Sequence, residues 1–427
     1  ISVPTTFTEE PNIIVGLLDK SGILDDNKIV IDTITPDYSI LETIDYQYPL
    51  NTGYLTYTTK GCKVGCEFCA VPKLEPIYKN RLSLKKHITE ISKRYGARKD
   101  LILMDNNVLC SPKFPQIIQE ILESGFTKAP QFVEPNRFEV LINYLLNTDD
   151  NYNEKKYLQR ICTFLQEFGK QRIRNPEIRD KYYHLLHARQ LDHSESITKE
   201  NILDSRHEIH QFIEKYRNKT KKRRYVDFNQ GLDCRYLDEE KMKLLSQLPI
   251  RPMRIAFDRL SLREPYEKAV RLAVEYGIPN LSNYILFNYK DTPEELWRRL
   301  KINLDLNREL NIDIYSFPMK FIPIAGEEAK SQSSYVGPHW YPKYIRAVQC
   351  ILNVTGGVVM DNPAFFEKAF GRTPEEYLEI LMMPEHYILY RKHFEDSGIQ
   401  AKWLEQFNNL NLNQRNEAIP IILSNKF

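Results

Sequence analysis

The chain has 427 residues, of which 42% are hydrophobic and 27% charged, with a formal net charge of +2. This is ordinary globular composition, and the near-neutral balance implies no polyelectrolyte partner. No run of about 18 apolar residues occurs, so no membrane span is expected, and the length calls for one large domain with additions.

The first residue is Ile1 and no signal-peptide pattern follows it, which leads us to expect further chain upstream. Residues 1–51 read as a lead-in segment. "GYLTYTTK", Gly53 to Lys60, is rich in aromatic and β-branched residues and predicts the first strand. It runs into the loop "KGCKVGCEFCAVPKLEP", which places Cys62, Cys66 and Cys69 within eight residues. A helix follows with Leu84, Ile88, Ile91 and Tyr95 on one stripe and Gly96 as its stop. "DLILM", Asp100 to Met104, is a buried strand. Ser111 is then expected to cap a helix that has Pro112 at its first position and Gly125 past its end.

The strand–helix rhythm pauses over residues 127–222, too long a stretch for a structureless loop. Leu158, Ile161, Leu165 and Phe168 recur at helical spacing, so a mainly helical insertion is expected. It carries His184, His187, His193, His207 and His210, in no accepted metal-ligand motif, and it ends in the basic run "KYRNKTKKRRY". Such a run is ordinarily a solvated helix end; contact with nucleic acid is the functional alternative.

The rhythm resumes with a strand at Tyr225 to Asn229 and a helix from Asp238 to Leu248. "RPMRIAFD" gives a strand ending at Asp258, and a helix from Pro265 to Tyr276 stops at Gly277. "NYILFNY" is the fifth strand. Thr292 and Glu295 form a capping box around Pro293, and "DIYSFPMKF" is the sixth strand. Six such units in this order favour a parallel sheet curved into an open barrel over residues 52–323. Residues 324–427 read as a helical C-terminal region with a turn at Gly356-Gly357.

The seven cysteines are three together and four alone, Cys110, Cys162, Cys234 and Cys350. This is no secreted disulfide framework, and a reducing cytoplasm fits better. For the C-x3-C-x2-C group, a disulfide leaves one thiol over. Structural zinc wants a fourth ligand, and no second cysteine pair supplies it. An iron–sulfur cluster suits soft thiolates on a flexible loop, and three ligands to a cubane leave one iron open.

The spacing, with the aromatic Phe68 before the last cysteine, resembles the radical S-adenosylmethionine (radical SAM) superfamily. The wider run "GCKVGCEFCAVPKLEPIY" is similar to the branch holding methylthiotransferases and cobalamin-dependent enzymes. The resemblance implies an α/β fold, a partial (βα)6 barrel. Cys62, Cys66 and Cys69 would bind a 4Fe-4S cluster whose open iron takes S-adenosylmethionine, and one electron would then release a 5′-deoxyadenosyl radical that abstracts a substrate hydrogen. An external donor such as flavodoxin or ferredoxin would supply the electron. Phe68 would shield the cluster. Asp105 would face the methionine ammonium, with Asn106 and Arg235 on the carboxylate side. Asp258 would face the ribose, and the strand carrying Asn288 would lie along adenine. Glu75 has at least the task of closing the loop. Cys234 or Cys110, near the strand ends, could donate a hydrogen atom, the ordinary alternative being a small buried hydrophobe.

Two departures narrow the branch. In relatives the lead-in joins a cobalamin domain, which is not visible here, and methylthiotransferases carry a second cysteine group, which is absent. Neither cobalamin use nor sulfur insertion is therefore counted as expected. The substrate is unassigned. The alternatives are a tRNA- or peptide-modifying methyltransferase of the same class, or a non-catalytic iron–sulfur protein. Electron carriers are small, and six strand–helix units argue against the latter.

Overall fold

The computed structural model of the chain describes residues 35, 36, 38, 52–147, 151–323, 334–360 and 362–425. Apart from 35, 36 and 38, the lead-in lies outside the described residues.

Among the described residues, seven strands form a mixed α/β fold with two parallel sheets. β1 (Gly53–Thr56), β2 (Asp100–Leu103) and β3 (Val226–Phe228) pair in that order, with Leu55 opposite Ile102 and Ile102 opposite Asp227. β4 (Leu232–Asp233), β5 (Met253–Ala256), β6 (Asn280–Phe287) and β7 (Asp313–Lys320) make the second sheet, also in chain order. The predicted third strand, Tyr225 to Asn229, stands as β3, and β4 is an additional two-residue strand just beyond it. Gly231 at φ +85° turns the chain between the two, a backbone region that costs a side-chain-bearing residue strain. A parallel bridge between Val226 and Ile250 carries the pairing from the first sheet toward the second.

Parallel strands covered by helices read as apolar runs. Leu101, Leu103, Val226, Phe228, Met253, Ile255, Leu281 and Ile314 accordingly share one core with α2 (Leu84–Tyr95), α3 (Phe114–Glu123), α8 (Glu239–Leu245) and α9 (Arg263–Glu275). Alternation sends the intervening residues to the other face. There Arg254 forms a two-pronged ion pair with Asp227, at 2.9 Å on each prong, and lies over the rings of Tyr284 and Phe317.

Ser111 does not cap α3. It follows a single 3-10 turn at Val108–Cys110, and the helix proper starts at Phe114, two residues beyond the expected first position, because Pro115 has no N–H to donate and fits only in the first turn. The Thr292 capping box forms as read and opens α10 (Pro293–Leu310).

The stretch between β2 and β3 is helical as expected. α4 (Arg137–Leu146), α5 (Asn151–Arg172), α6 (Pro176–Ala188) and α7 (Lys199–Tyr216) bury their own apolar cluster, including Phe138, Ile161, Leu165, Tyr182 and Ile209. Its two ends are pinned together, since Phe132 and Lys222 exchange backbone hydrogen bonds of 3.1 and 2.7 Å. Much of the basic run is committed internally. Arg217 and Lys219 pair with Glu214, Lys222 pairs with Glu134, and Arg224 donates to three backbone carbonyls while stacking on Phe126.

The C-terminal helices, from α11 (Pro342–Val354) through α12 (Pro363–Phe370) and α13 (Pro374–Met382) onward, pack on α10 and β6 around Trp340, Phe366, Phe370 and Tyr377. Val359 also exchanges two 2.9 Å backbone hydrogen bonds with Ser316, which covers the otherwise open edge of β7. Among the described residues, no helix is long and apolar enough to cross a membrane.

Candidate cofactor site

The cysteine loop leaves β1 and is pinched at its base, where Lys60 and Lys79 exchange backbone hydrogen bonds of 3.2 and 3.0 Å. Gly61 turns the chain at φ +73°; a Cβ there would stand 2.9 Å from the carbonyl oxygens of Glu75 and Ile77. Inside the loop, Cys66 N–H bonds to the Val64 carbonyl and Cys69 N–H to the Cys66 carbonyl, both at 3.0 Å. These tight turns fold the loop back on itself, and all three thiols are half-buried. α1 (Val71–Leu74) then lifts the chain away.

Each sulfur meets a donor. Val64 N–H points at Cys62 Sγ (3.3 Å), Val71 N–H at Cys69 Sγ (3.4 Å) and Arg235 Nη2 at Cys66 Sγ (4.0 Å). Asn107 Nδ2 adds a 3.6 Å contact to Cys62 Sγ. Donors aimed at sulfur suit thiolates, and in iron–sulfur proteins they tune the cluster. Burial pushes the Cys69 thiol up, and the neighbouring Cys66 and Cys62 push the same way. Bound cations would relieve that penalty by taking the thiolates directly. Among the described residues, no three His, Cys, Asp or Glu side chains gather as a single ion would need. A cluster binds its thiolates to different irons, so its sulfurs stand farther apart than the ligands of a single ion.

Glu75 closes the loop. Its carboxylate accepts from Gly61 N–H (2.8 Å) and Asn106 Nδ2 (2.6 Å), with Lys60 Nζ at 3.5 Å. Asn106 is thereby directed to the loop's foot.

Asp105 has a different task from the one expected. Its carboxylate is 4% exposed and accepts from the N–H and hydroxyl groups of both Thr58 and Thr59, at 2.5 to 3.1 Å. It ties the end of β2 to the exit of β1 and does not line the cleft described next. Burial raises its pKa, and the four donors oppose the shift.

The cleft lies against the loop and measures about 580 Å³, lined by Cys66, Glu67, Phe68, Arg235, Asp258 and Tyr289 among others. That is ample for a nucleoside-sized ligand. Its walls come from strand C-terminal ends, where α/β sheets build their sites. Four of the residues singled out from sequence therefore meet here: Cys66, Phe68, Arg235 and Asp258. Arg235 is held by Asp233 at 2.6 and 2.8 Å, which raises its pKa and keeps it cationic. Burial pushes Asp258 up to about 6, against the pull of Arg299.

Asn288 does not reach into the cleft. At φ +66° and fully buried, it accepts from Gly337 N–H and donates to the carbonyls of Phe321 and Tyr335, fastening the C-terminal region to the end of β6. Cys234 is 2% exposed and its thiol is pushed up to about 12 by burial, so it is packed as a hydrophobe. Cys110 is half-buried, its thiol also raised by burial.

Two features were missed in the sequence. Glu67 accepts from Tyr289 hydroxyl (2.9 Å) and Lys290 Nζ (2.5 Å) while Phe68 meets Tyr289 edge-on, so the loop tip clasps the end of β6. Arg299, with its side chain wholly buried, donates to the carbonyls of Asp258 and Leu286 and pairs with Asp291 at 2.7 Å, fixing two rim loops from behind. Its signal was available: it shares the buried stripe of α10 with Leu296 and Asn303.

No protein-family model matches the sequence, and no curated protein matches it. A similar solved structure is that of the radical S-adenosylmethionine methyltransferase TsrM from Kitasatospora setae, with cobalamin and a 4Fe-4S cluster bound. The two are 14% identical with a TM-score of 0.29, over 63% of this chain and 36% of that one.

Proposed function

We propose that the protein is a radical SAM enzyme with an open (βα)6 barrel. The observation that carries this reading is the C-x3-C-x2-C loop, its sulfurs met by N–H donors, set against a cleft built from strand ends. Bound at Cys62, Cys66 and Cys69, a 4Fe-4S cluster would supply the electron that reductively cleaves S-adenosylmethionine to a 5′-deoxyadenosyl radical.

The chain's own residues divide the remaining work. Phe68 and Tyr289 form an aromatic wall that excludes water beside the loop. Arg235 offers a cation, already oriented by Asp233, to a carboxylate in the cleft. Asp258 offers an acceptor for sugar hydroxyls, best when ionised. Asp105, Asn106, Glu75 and Asn288 act one layer back, by holding the loop and the strand ends. Cys234 is left out of the chemistry. The substrate is unassigned, and an external flavodoxin- or ferredoxin-like protein would deliver the electron in a reducing cytoplasm. The exposed Lys215, Lys221 and Arg223 are what remains of the basic run for a nucleic-acid contact.

Iron analysis after anaerobic reconstitution tests the reading. It should give about four irons per chain with broad thiolate-to-iron absorbance. Cys66→Ala should lose both. Zinc in place of iron would refute the assignment.

A further inference from the structure

A second cavity, about 530 Å³, lies in the C-terminal helical region, far in sequence from the cysteine loop. Met382, Pro384, Trp403 and Ile422 supply apolar wall, and Lys343, Glu385, His386 and Asn425 supply the polar remainder. Lys343 is only 2% exposed. Among the described residues, its ammonium makes no hydrogen bond and no ion pair.

The nearby acid does not supply the missing partner. Glu385 accepts from Arg346 at 2.9 and 3.2 Å and from Asn425 Nδ2 at 3.4 Å. Its charge is balanced by Arg346, which lies on the same helix as Lys343. The remaining ionisable groups around the cavity are His386, which lines it, and Cys350, whose thiol is raised by burial and meets Glu385. Burial lowers the Lys343 pKa, opposed by Glu385 and Cys350 and reinforced by Arg346. An unpaired cation removed from water is costly, and lysine usually escapes the cost by extending to the surface. Here the stem stays inside and the ammonium stands at the wall of a cavity whose surface is mainly apolar.

We propose that this cavity binds an apolar monocarboxylate, with its carboxylate on Lys343 and its hydrocarbon or aromatic body against Trp403, Met382, Pro384 and Ile422. A carboxylate removes the uncompensated charge, and the volume falls within the range of small-molecule sites. A dicarboxylate would set its second charge among apolar groups or against Glu385, so a single anionic end is selected.

Tryptophan fluorescence of the full chain reports on the site, because Trp403 lies in its wall whereas Trp297 and Trp340 are buried elsewhere. Titration with decanoate and with 2-naphthoate separates aliphatic from aromatic ligands. At least one should give a saturable change that is lost in Trp403→Phe. Lys343→Met should bind at least tenfold more weakly, while Lys343→Arg should stay within threefold of the native chain. Should Lys343→Met fail to fold, the uncharged counterparts 1-decanol and 2-naphthol, added to the native chain, carry the same test and should also bind at least tenfold more weakly. Absence of saturable binding for both acids, or equal binding of acid and alcohol, would overturn the proposal.

Discussion

Two carboxylates near the cysteine loop illustrate how environment assigns roles to identical groups. Asp258 faces the cleft, and burial pushes its carboxyl up from 3.8 to about 6. If its ionised form accepts sugar hydroxyls, S-adenosylmethionine affinity should rise with pH through about 6. Asp258→Asn should flatten that profile, and equilibrium binding from pH 5 to 8 measures it. The stability effect runs the opposite way. A raised carboxyl pKa means that the folded chain holds its proton more tightly, so ionisation costs stability above pH 6 and the cost vanishes below about 4. Asp258→Asn should therefore stabilise by about 1–3 kcal/mol at pH 8 and by much less at pH 4. Asp105 is the contrasting case, with four donors converging on it. Asp105→Ala leaves those donors buried and unpaired, and urea unfolding should show a loss of about 3 kcal/mol or more. A variant of native stability that had merely lost S-adenosylmethionine affinity would restore Asp105 to the ligand contacts.

At the scale of elements, what the sequence made legible was local. Strand–helix alternation, the capping box at Thr292 and the helical stripe of α5 depend on neighbours a few residues apart, and each stands in the structure. Long-range partners were not legible. Asp105 finds Thr58 and Thr59 across 46 to 47 residues, and Asn288 finds Gly337 across 49, so neither side chain's direction follows from its own stretch. The Ser111 cap was misplaced because two prolines competed to begin one helix. The insertion invites a test at the same scale. Its ends meet at Phe132 and Lys222, and it carries its own core. Replacing residues 133–221 by a short turn should keep the iron content, because no insertion residue touches the cysteine loop in the described contacts. Tyr95, which packs on Tyr144 of the insertion, will be newly exposed, so some loss of solubility is expected. Loss of iron binding in soluble, folded variant would show that the insertion belongs to the site's framework.

For the whole molecule, one arrangement matters most: strand ends gather a thiol loop, an oriented arginine and a half-buried aspartate around a single cleft. Arg299 and the C-terminal region brace that rim from behind, through Asp291, Trp340 and Asn288. The bracing explains how short strands can hold a defined site. The most direct measurement is 5′-deoxyadenosine formed from S-adenosylmethionine by the anaerobically reconstituted full chain, with dithionite as reductant and Cys66→Ser as control. The account predicts 5′-deoxyadenosine from the native chain, dependent on dithionite, and none from Cys66→Ser. A native chain that holds about four irons yet yields no 5′-deoxyadenosine, with or without dithionite, would contradict it and leave a protein that only binds a cluster.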